Sequence, residues 1–315
     1  MNLYRKYIPK RMRNLLWVCG WQIKVFFRLF FRHIKTGMNY LLHNRDSFEN
    51  KLIIITKVYN EARNIKEWIE YHKLVGVEKF IIYDNESADN LKEVLQPYIE
   101  SGEVDYFYQE GNLLDIQVEL VNRAINMYRN KAKWIAIIDL DEFIVPVKRE
   151  NILDAISDIE KNLGRKIPAL AINWVMYGYS GHRTKPNGLV IENFNRNDGV
   201  NLHIKSIINP RLVSFCAIHE AICLFGIPQV TERGIAVRSG KLNDFQEVGI
   251  DNLRINHYYT KSFEESIQKI IKYHSILNIK EIKIPEFDPD YLSHYYDPIM
   301  EKFVSRVKEA VSENL

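Results

Sequence analysis

Trp134-Ile135-Ala136-Ile137-Ile138-Asp139-Leu140-Asp141-Glu142-Phe143 runs from an unbroken apolar stretch into three carboxylates within four positions. Like charges crowded at the end of a buried strand are costly unless a cation is held there. Side chains alternate along extended backbone, so Asp139 and Asp141 are expected on one face and Leu140 on the other. Two oxygen ligands on one face suit Mg²⁺ or Mn²⁺, which are commonly bound by one or two carboxylates together with substrate phosphates. The carboxyl end of a strand is also where open α/β sheets bind nucleotides. The stretch therefore predicts a metal-assisted, phosphate-handling site.

Upstream of it, short apolar runs alternate with amphipathic helical stretches, the pattern of βαβ units and a mostly parallel sheet. Strands are predicted near 52–56, 79–84, 104–108 and 134–139, with helices near 62–75, 89–100 and 114–129 between them. Downstream the pattern is mixed. A helix near 152–162 leads to a strand near 169–175 and the turn Gly178-Tyr179-Ser180-Gly181. Extended segments follow at 204–208, 211–216 and 253–257, then a helix at 262–277 and a peripheral one at 298–311. Neither a P-loop nor a GxGxxG follows the first strand, which excludes Walker-type and Rossmann dinucleotide chemistry.

The 315 residues carry a formal charge of +3 that hides an asymmetry. Nine Lys/Arg and no Asp/Glu fall within residues 1–44, leaving 34 basic against 40 acidic residues in the remainder, a balance that argues against nucleic acid as a partner. Residues 15–34 are apolar and aromatic with a basic stripe at Lys24, Arg28, Arg32 and Lys35. Charge interrupts this run well short of the roughly 20 apolar residues that a membrane crossing needs. The expectation is an amphipathic segment, 1–48, lying on a membrane surface, with the protein cytoplasmic and peripheral on the inner face. Packing of that segment on the body or a partner is the alternative. Cys19, Cys216 and Cys223 show no framework spacing, which fits a reducing compartment. Cys216, His219 and Cys223 lack a fourth partner at zinc-finger spacing.

At the first two strand ends stand Tyr59-Asn60-Glu61-Ala62-Arg63-Asn64 and Asp84-Asn85-Glu86-Ser87-Ala88-Asp89. Asn60 and Asp89 are ordinary helix-capping types, with ligand contact an equal alternative. Asp84 ends an apolar strand and reads as an acceptor for a base or ribose. Followed by Asp-Leu-Asp-Glu-Phe, this order resembles a GT-A type glycosyltransferase. Tyr177-Gly178-Tyr179-Ser180-Gly181-His182, His203-Ile204-Lys205-Ser206-Ile207, Ile218-His219-Glu220 and Ile255-Asn256-His257-Tyr258-Tyr259 resemble glycosyltransferase family 92 and related bacterial family 2-like enzymes. The resemblance covers about residues 51–280 and implies a domain over 49–280 with a helical extension at 281–315.

That resemblance implies Asp139, Asp141 and His257 at the metal, with Asp141 the closer ligand and Asp139 contacting ribose or metal-bound water. Glu61, Arg63, Asp84 and Lys205 would line the nucleotide pocket, and Lys261 is a second lysine that could meet phosphate. The implied reaction is an inverting, Mn²⁺- or Mg²⁺-dependent transfer of a hexose such as galactose from a UDP-sugar to a glycan or lipid-linked acceptor. A base must then take the acceptor's proton. Glu220 is the leading candidate, with His219 and Asp251 behind it, while Glu142 either meets the acceptor or orients the strand end. Two rivals are a catalytically inactive membrane-surface nucleotide-binding scaffold and a haloacid-dehalogenase-like phosphatase. Phe143, where such phosphatases usually carry Thr or Val, counts against the second.

Overall fold

Isoleucine-rich runs with no polar face form the centre of a sheet covered on both sides, as near-continuous apolar strands require. The computed structural model describes residues 27, 29–42, 47–111, 113–244, 246–276, 279 and 281–313. Helix α1 occupies 29–42. The body then runs β1 (Asn50–Val58), α2 (Ile65–Leu74), β2 (Lys79–Asp84), α3 (Leu91–Glu100), β3 (Val104–Tyr108), α4 (Leu113–Tyr128) and β4 (Ala132–Ile137). Strands β4, β1, β2 and β3 are adjacent and parallel, the arrangement that the alternating pattern predicts.

The second half is mixed. It comprises β5 (Glu142–Pro146), α5 (Ile152–Asn162), β6 (Ala169–Tyr177), α6 (Val190–Asn193), β7 (Arg196–Ile208), β8 (Val213–Cys216), β9 (Ala221–Cys223), β10 (Gln229–Val230), β11 (Ala236–Val237), β12 (Leu253–Tyr258), α7 (Phe263–Ile276), β13 (Tyr295–Tyr296) and α8 (Glu301–Glu313). β7 inserts between β4 and β6, antiparallel to both. β12 lies parallel to β6 and antiparallel to β5. β8 and β9 form a separate hairpin. Among the described residues no helix is long and apolar enough to cross a membrane.

The acidic stretch departs from its expected form. β4 ends at Ile137, and Asp139-Leu140-Asp141 make a turn closed by the Glu142 amide donating to the Asp139 carbonyl (3.1 Å) before β5 begins. Alternation stops at a turn, so the two aspartates do not share a face. Helix α2 fixes the turn from below. Trp68 Nε1 donates to the Glu142 carbonyl (2.8 Å), Tyr71 Oη donates to the Ile144 carbonyl (3.0 Å), and His72 Nε2 accepts from the Ile144 amide (3.2 Å). These side chains satisfy the edge of β5 that no strand covers. Burial pushes the His72 pKa down to about 3, so the ring stays neutral in this role.

Residues 281–313 of the expected extension, with its peripheral helix, are built into the body. β13 pairs with β7, and the Asp297 carboxylate receives Tyr177 Oη (2.8 Å) and Asn197 Nδ2 (3.1 Å) and pairs with Arg254. Gly178 is required at its turn because a Cβ there would collide with the Tyr291 carbonyl. Phe303 and Val307 of α8 are fully buried in the core that α2 and β5 share. Phe303→Ala is expected to cost about 3–5 kcal/mol, seen as a lower urea midpoint with an unchanged slope; a loss near zero would make α8 dispensable.

Candidate functional site

The acidic turn is neutralised by side chains from four other elements. Lys57, at the end of β1, and Lys205, on β7, each place Nζ 2.6 Å from a different oxygen of Asp139. Lys205 is only 1% exposed and lies 3.4 Å from Glu142 as well. Glu142 also receives the Asp139 amide (2.9 Å), while its Oε1 is buried without a partner among the described residues. Asp141 points elsewhere, to Lys269 Nζ of α7 (2.8 Å) and His257 Nε2 of β12 (3.4 Å).

These contacts set the protonation states. Burial alone would raise both aspartate pKa values; Lys205 and Lys57 hold Asp139, and Lys269 and His257 hold Asp141, well below the usual carboxylate range. Glu142 goes the other way, because burial outweighs Lys205 and raises it to about 7. Lys205 stays charged despite its burial because Asp139 and Glu142 hold its ammonium above the ordinary value.

A cavity opens beside Asp139, between the ends of β1, β2 and β4 and helix α4, lined by Thr56, Lys57, Tyr83, Gln117, Asp139 and Lys205 among others. Tyr83 Oη is buried on this face without a hydrogen-bond partner among the described residues; Thr56, paired with Ile82, turns its side chain to the other face of the sheet, where its Oγ1 is also unpartnered. On the other side, Trp174 of β6 sits among three imidazoles, with ring centroids 4.4 Å from His257, 5.1 Å from His203 and 5.7 Å from His219. Its Nε1 and the His257 Nδ1 also lack partners. Thr56, Tyr83, Trp174, Lys57 and Lys269 had no role assigned from sequence.

The β8–β9 turn carries His219 and Glu220. His219 Nδ1 lies 2.9 Å from the Ile204 carbonyl, which can only accept, so Nδ1 bears the proton and Nε2 is the acceptor. Burial, then Lys205, lowers the His219 pKa to about 4. The Glu220 carboxylate has no ion-pair partner among the described residues, and partial burial raises its pKa.

Other expected site residues lie apart from this group. Asp251 precedes β12, six residues from His257 and therefore about 20 Å away along the strand; it binds Arg233 (3.0 Å) at the opposite end of the sheet. That removes it as a base beside His257. Lys205, by contrast, lies within the group and lines the cavity, but it is almost wholly buried with its ammonium held by Asp139 and Glu142. Asp84 uses its carboxylate inside the fold, accepting from Ser87 N (3.0 Å) and Tyr106 Oη (2.6 Å). Asn60 and Asp89 cross-link the first two strand ends, Asn60 Oδ1 accepting from Ala88 N and Asp89 Oδ2 from Ala62 N, while Asp89 Oδ1 also accepts from Leu91 N at the start of α3 (3.3 Å), as its capping role predicts. Arg63 donates to the Pro186 carbonyl (2.9 Å), and Glu61 pairs with Lys261 (3.6 Å), near Asp141 rather than at the cavity.

Among the described residues no three His, Cys, Asp or Glu side chains gather to hold a metal. Asp139 has both oxygens taken by lysines, which leaves Asp141 and His257. Two such ligands fit a divalent ion only in the shared form, with substrate oxygens completing the shell. Cys216 and Cys223 are buried free thiols. Cys19, Lys24 and Arg28 lie outside the described residues.

The family model for glycosyltransferase family 92 matches residues 54–293, well over half of the chain. The chain belongs to glycosyltransferase family 92. A family 92 protein of Ricinus communis is 26% identical over 170 residues, 54% of this chain and 30% of that protein. Galactan beta-1,4-galactosyltransferase GALS2 of Arabidopsis thaliana is 38% identical over 95 residues, 27% of this chain and 18% of the relative. The family 92 chain thus spans about a third or less of the curated relatives it matches. Among solved structures, S. aureus TarS 1–349 in complex with UDP aligns with a TM-score of 0.35 at 16% identity, over 51% of this chain and 47% of that one. Mycobacterium tuberculosis glucosyl-3-phosphoglycerate synthase with Mn²⁺ and UDP gives 0.29 at 16%, over 52% and 58%.

Because folding raises the Glu142 pKa from 4.5 to about 7, the folded chain keeps a proton that the unfolded chain releases. The stability gained is complete below about pH 4.5 and lost as pH rises through about 7. Glu142→Gln removes that loss, so the urea midpoint is expected to rise more with pH across the window than in the wild type; Glu67, which burial also raises to about 7, still opposes His72 and His219, whose lowered pKa values favour the folded chain as pH rises toward 6.5. An unchanged pH profile would show that Glu142 is ionised throughout.

Proposed function

We propose that this chain is an inverting, divalent-metal-dependent glycosyltransferase that moves a hexose, with galactose the first candidate, from a UDP-sugar to a glycan or lipid-linked acceptor. One observation carries the reading: two ionised aspartates, held by lysines, stand beside a cavity whose buried Tyr83 hydroxyl has no partner among the described residues. A nucleotide at the mouth of this cavity would supply the partner that Tyr83 Oη lacks, since buried polar groups are otherwise satisfied. Lys57 stands between that cavity and Asp139, where a diphosphate would follow. The galactan galactosyltransferase relatives support galactose as the first sugar to try.

Asp141 and His257 would hold the metal together with phosphate oxygens. When bound, a divalent ion offsets the charge that develops on the departing diphosphate. Lys57 and Lys269 add fixed positive charge on the same side, which assists the leaving group without needing to move far. Trp174 offers a flat apolar wall and an indole N–H seeking an acceptor, a combination suited to the hydroxyl-bearing face of a hexose. Across the ring, Glu220 takes the proton of the attacking acceptor hydroxyl. Its unpaired carboxylate and raised pKa suit that task better than an ion-paired group would. The neutral His219, with Nε2 as acceptor, is the second candidate.

Calorimetric titration with UDP tests the donor half. Asp141→Ala and His257→Ala should each abolish the tightening of UDP by Mn²⁺ and leave metal-free binding unchanged, whereas equal Mn²⁺ effects in all three proteins would return both residues to structural roles. For the acceptor half, Glu220→Gln should lower turnover about 10²–10⁴-fold at unchanged UDP affinity. A loss under threefold would move the base to His219. Absence of Mn²⁺-dependent nucleotide release from every UDP-hexose tried would end the transferase reading.

A further inference from the structure

Helix α1 is amphipathic in an unusual sense, because its apolar face is turned away from the body. The inward face is set by contacts. Thr36 is buried, the Arg32 guanidinium lies 5.4 Å from the Phe215 ring, His33 Nδ1 is 3.4 Å from Ser214 Oγ, and Tyr40 packs on Phe225 at 6.3 Å. Positions 32, 33, 36 and 40 form one side of a helix, and the opposite side is 31, 34, 38 and 41. Those opposite residues are Phe31, Ile34, Met38 and Leu41, which are 64%, 43%, 58% and 74% exposed, with Leu42 at 75%. Phe225, 64% exposed on the turn after β9, continues the surface. A row of large apolar side chains facing water is rare unless something covers it.

The charge of the flanking chain identifies what covers it. Residues 1–44 carry nine basic and no acidic side chains, and Lys35 stands exposed beside the apolar row. A second copy of the chain would bring the same uncompensated positive charge against itself. An anionic lipid leaflet supplies both an apolar layer and negative head groups. We propose that the outward face of α1 is a leaflet-docking surface, seated through Arg32, His33 and Tyr40 on the β8–β9 hairpin and the turn that follows. Docking through this face holds the body beside the membrane by the hairpin whose turn carries His219 and Glu220. The inference is independent of the transferase reading.

Co-sedimentation with phosphatidylcholine vesicles, with and without phosphatidylglycerol, tests it on the full chain. The wild-type protein should pellet with the anionic vesicles and bind pure phosphatidylcholine about tenfold more weakly. Phe31→Glu/Leu41→Glu should lower partition onto anionic vesicles by at least about tenfold, with melting temperature and UDP affinity unchanged because both side chains are exposed. Wild-type protein left in the supernatant, or a variant that pellets equally, overturns the proposal. So does a vesicle-free dimer on gel filtration that the same substitutions dissociate, since the face would then bind a second copy. Vesicle binding without any UDP binding would leave this surface standing and remove the donor site instead.

Discussion

Neutralisation of the acidic turn is the constraint on which the rest of the structure depends. Asp139, Asp141 and Glu142 lie within four positions at the end of a buried strand, and their mutual repulsion is not screened there as it would be in water. The fold answers with Lys57 from β1, Lys205 from β7, His257 from β12 and Lys269 from α7. Each of these elements must therefore reach one end of the sheet. Insertion of β7 between β4 and β6 is what places Lys205 beneath Asp139, and the antiparallel pairing of β12 with β5 is what sets His257 opposite Glu142. Removing one cation would strand a buried carboxylate, which is costlier than never having built the pair.

The cations differ in what they can yield. Lys205 is sealed and bridges Asp139 to Glu142, so its charge belongs to the scaffold. The side chains of Lys57 and Lys269 are 22% and 30% exposed, close enough to solvent to meet an incoming anion without unfolding anything. A diphosphate offers them alternative partners, while Asp139 remains ionised through Lys205. Asp141 is the carboxylate whose remaining partner, His257, can itself turn to a metal. The asymmetry between the two aspartates thus follows from which lysine each one holds, although the sequence motif presents them as equivalent.

Much of the parallel half was legible in the sequence. The ranges of β2, β3 and α5 coincide with expectation because apolar runs there end sharply at polar residues. β7 is longer than the expected 204–208, since Arg196-Asn197-Asp198-Gly199 has neither alternation nor β propensity and is held by pairing with β6 and β13. β5 went unseen for a related reason: only five residues long, it begins inside the acidic stretch that drew attention to ligands. The lysine partners of the aspartates lie 82, 66 and 128 residues away in the chain, and no local pattern exposes such pairs. Tyr83 had a usable signal, being a hydroxyl-bearing residue at the carboxyl end of an apolar strand. Asp251, a base candidate behind Glu220, stands six residues before His257 at the far end of an extended strand, a separation that only the strand's course reveals.

Two halves of the site meet at Trp174. Its ring touches His257, which faces Asp141, and His219, which neighbours Glu220, while Lys205 lies 6.0 Å from the same ring. The side where negative charge would leave and the side where a proton would be taken are therefore joined through one rigid indole rather than through a flexible loop. Residues in contact with a shared neighbour do not act additively. A change of ring at this position would shift both imidazoles together, so its effect on nucleotide affinity and on proton transfer would be correlated. Changes at Asp141 and Glu220, which do not touch each other through any described contact, would combine independently. That difference in coupling follows from packing alone and holds whatever sugar occupies the space against the indole.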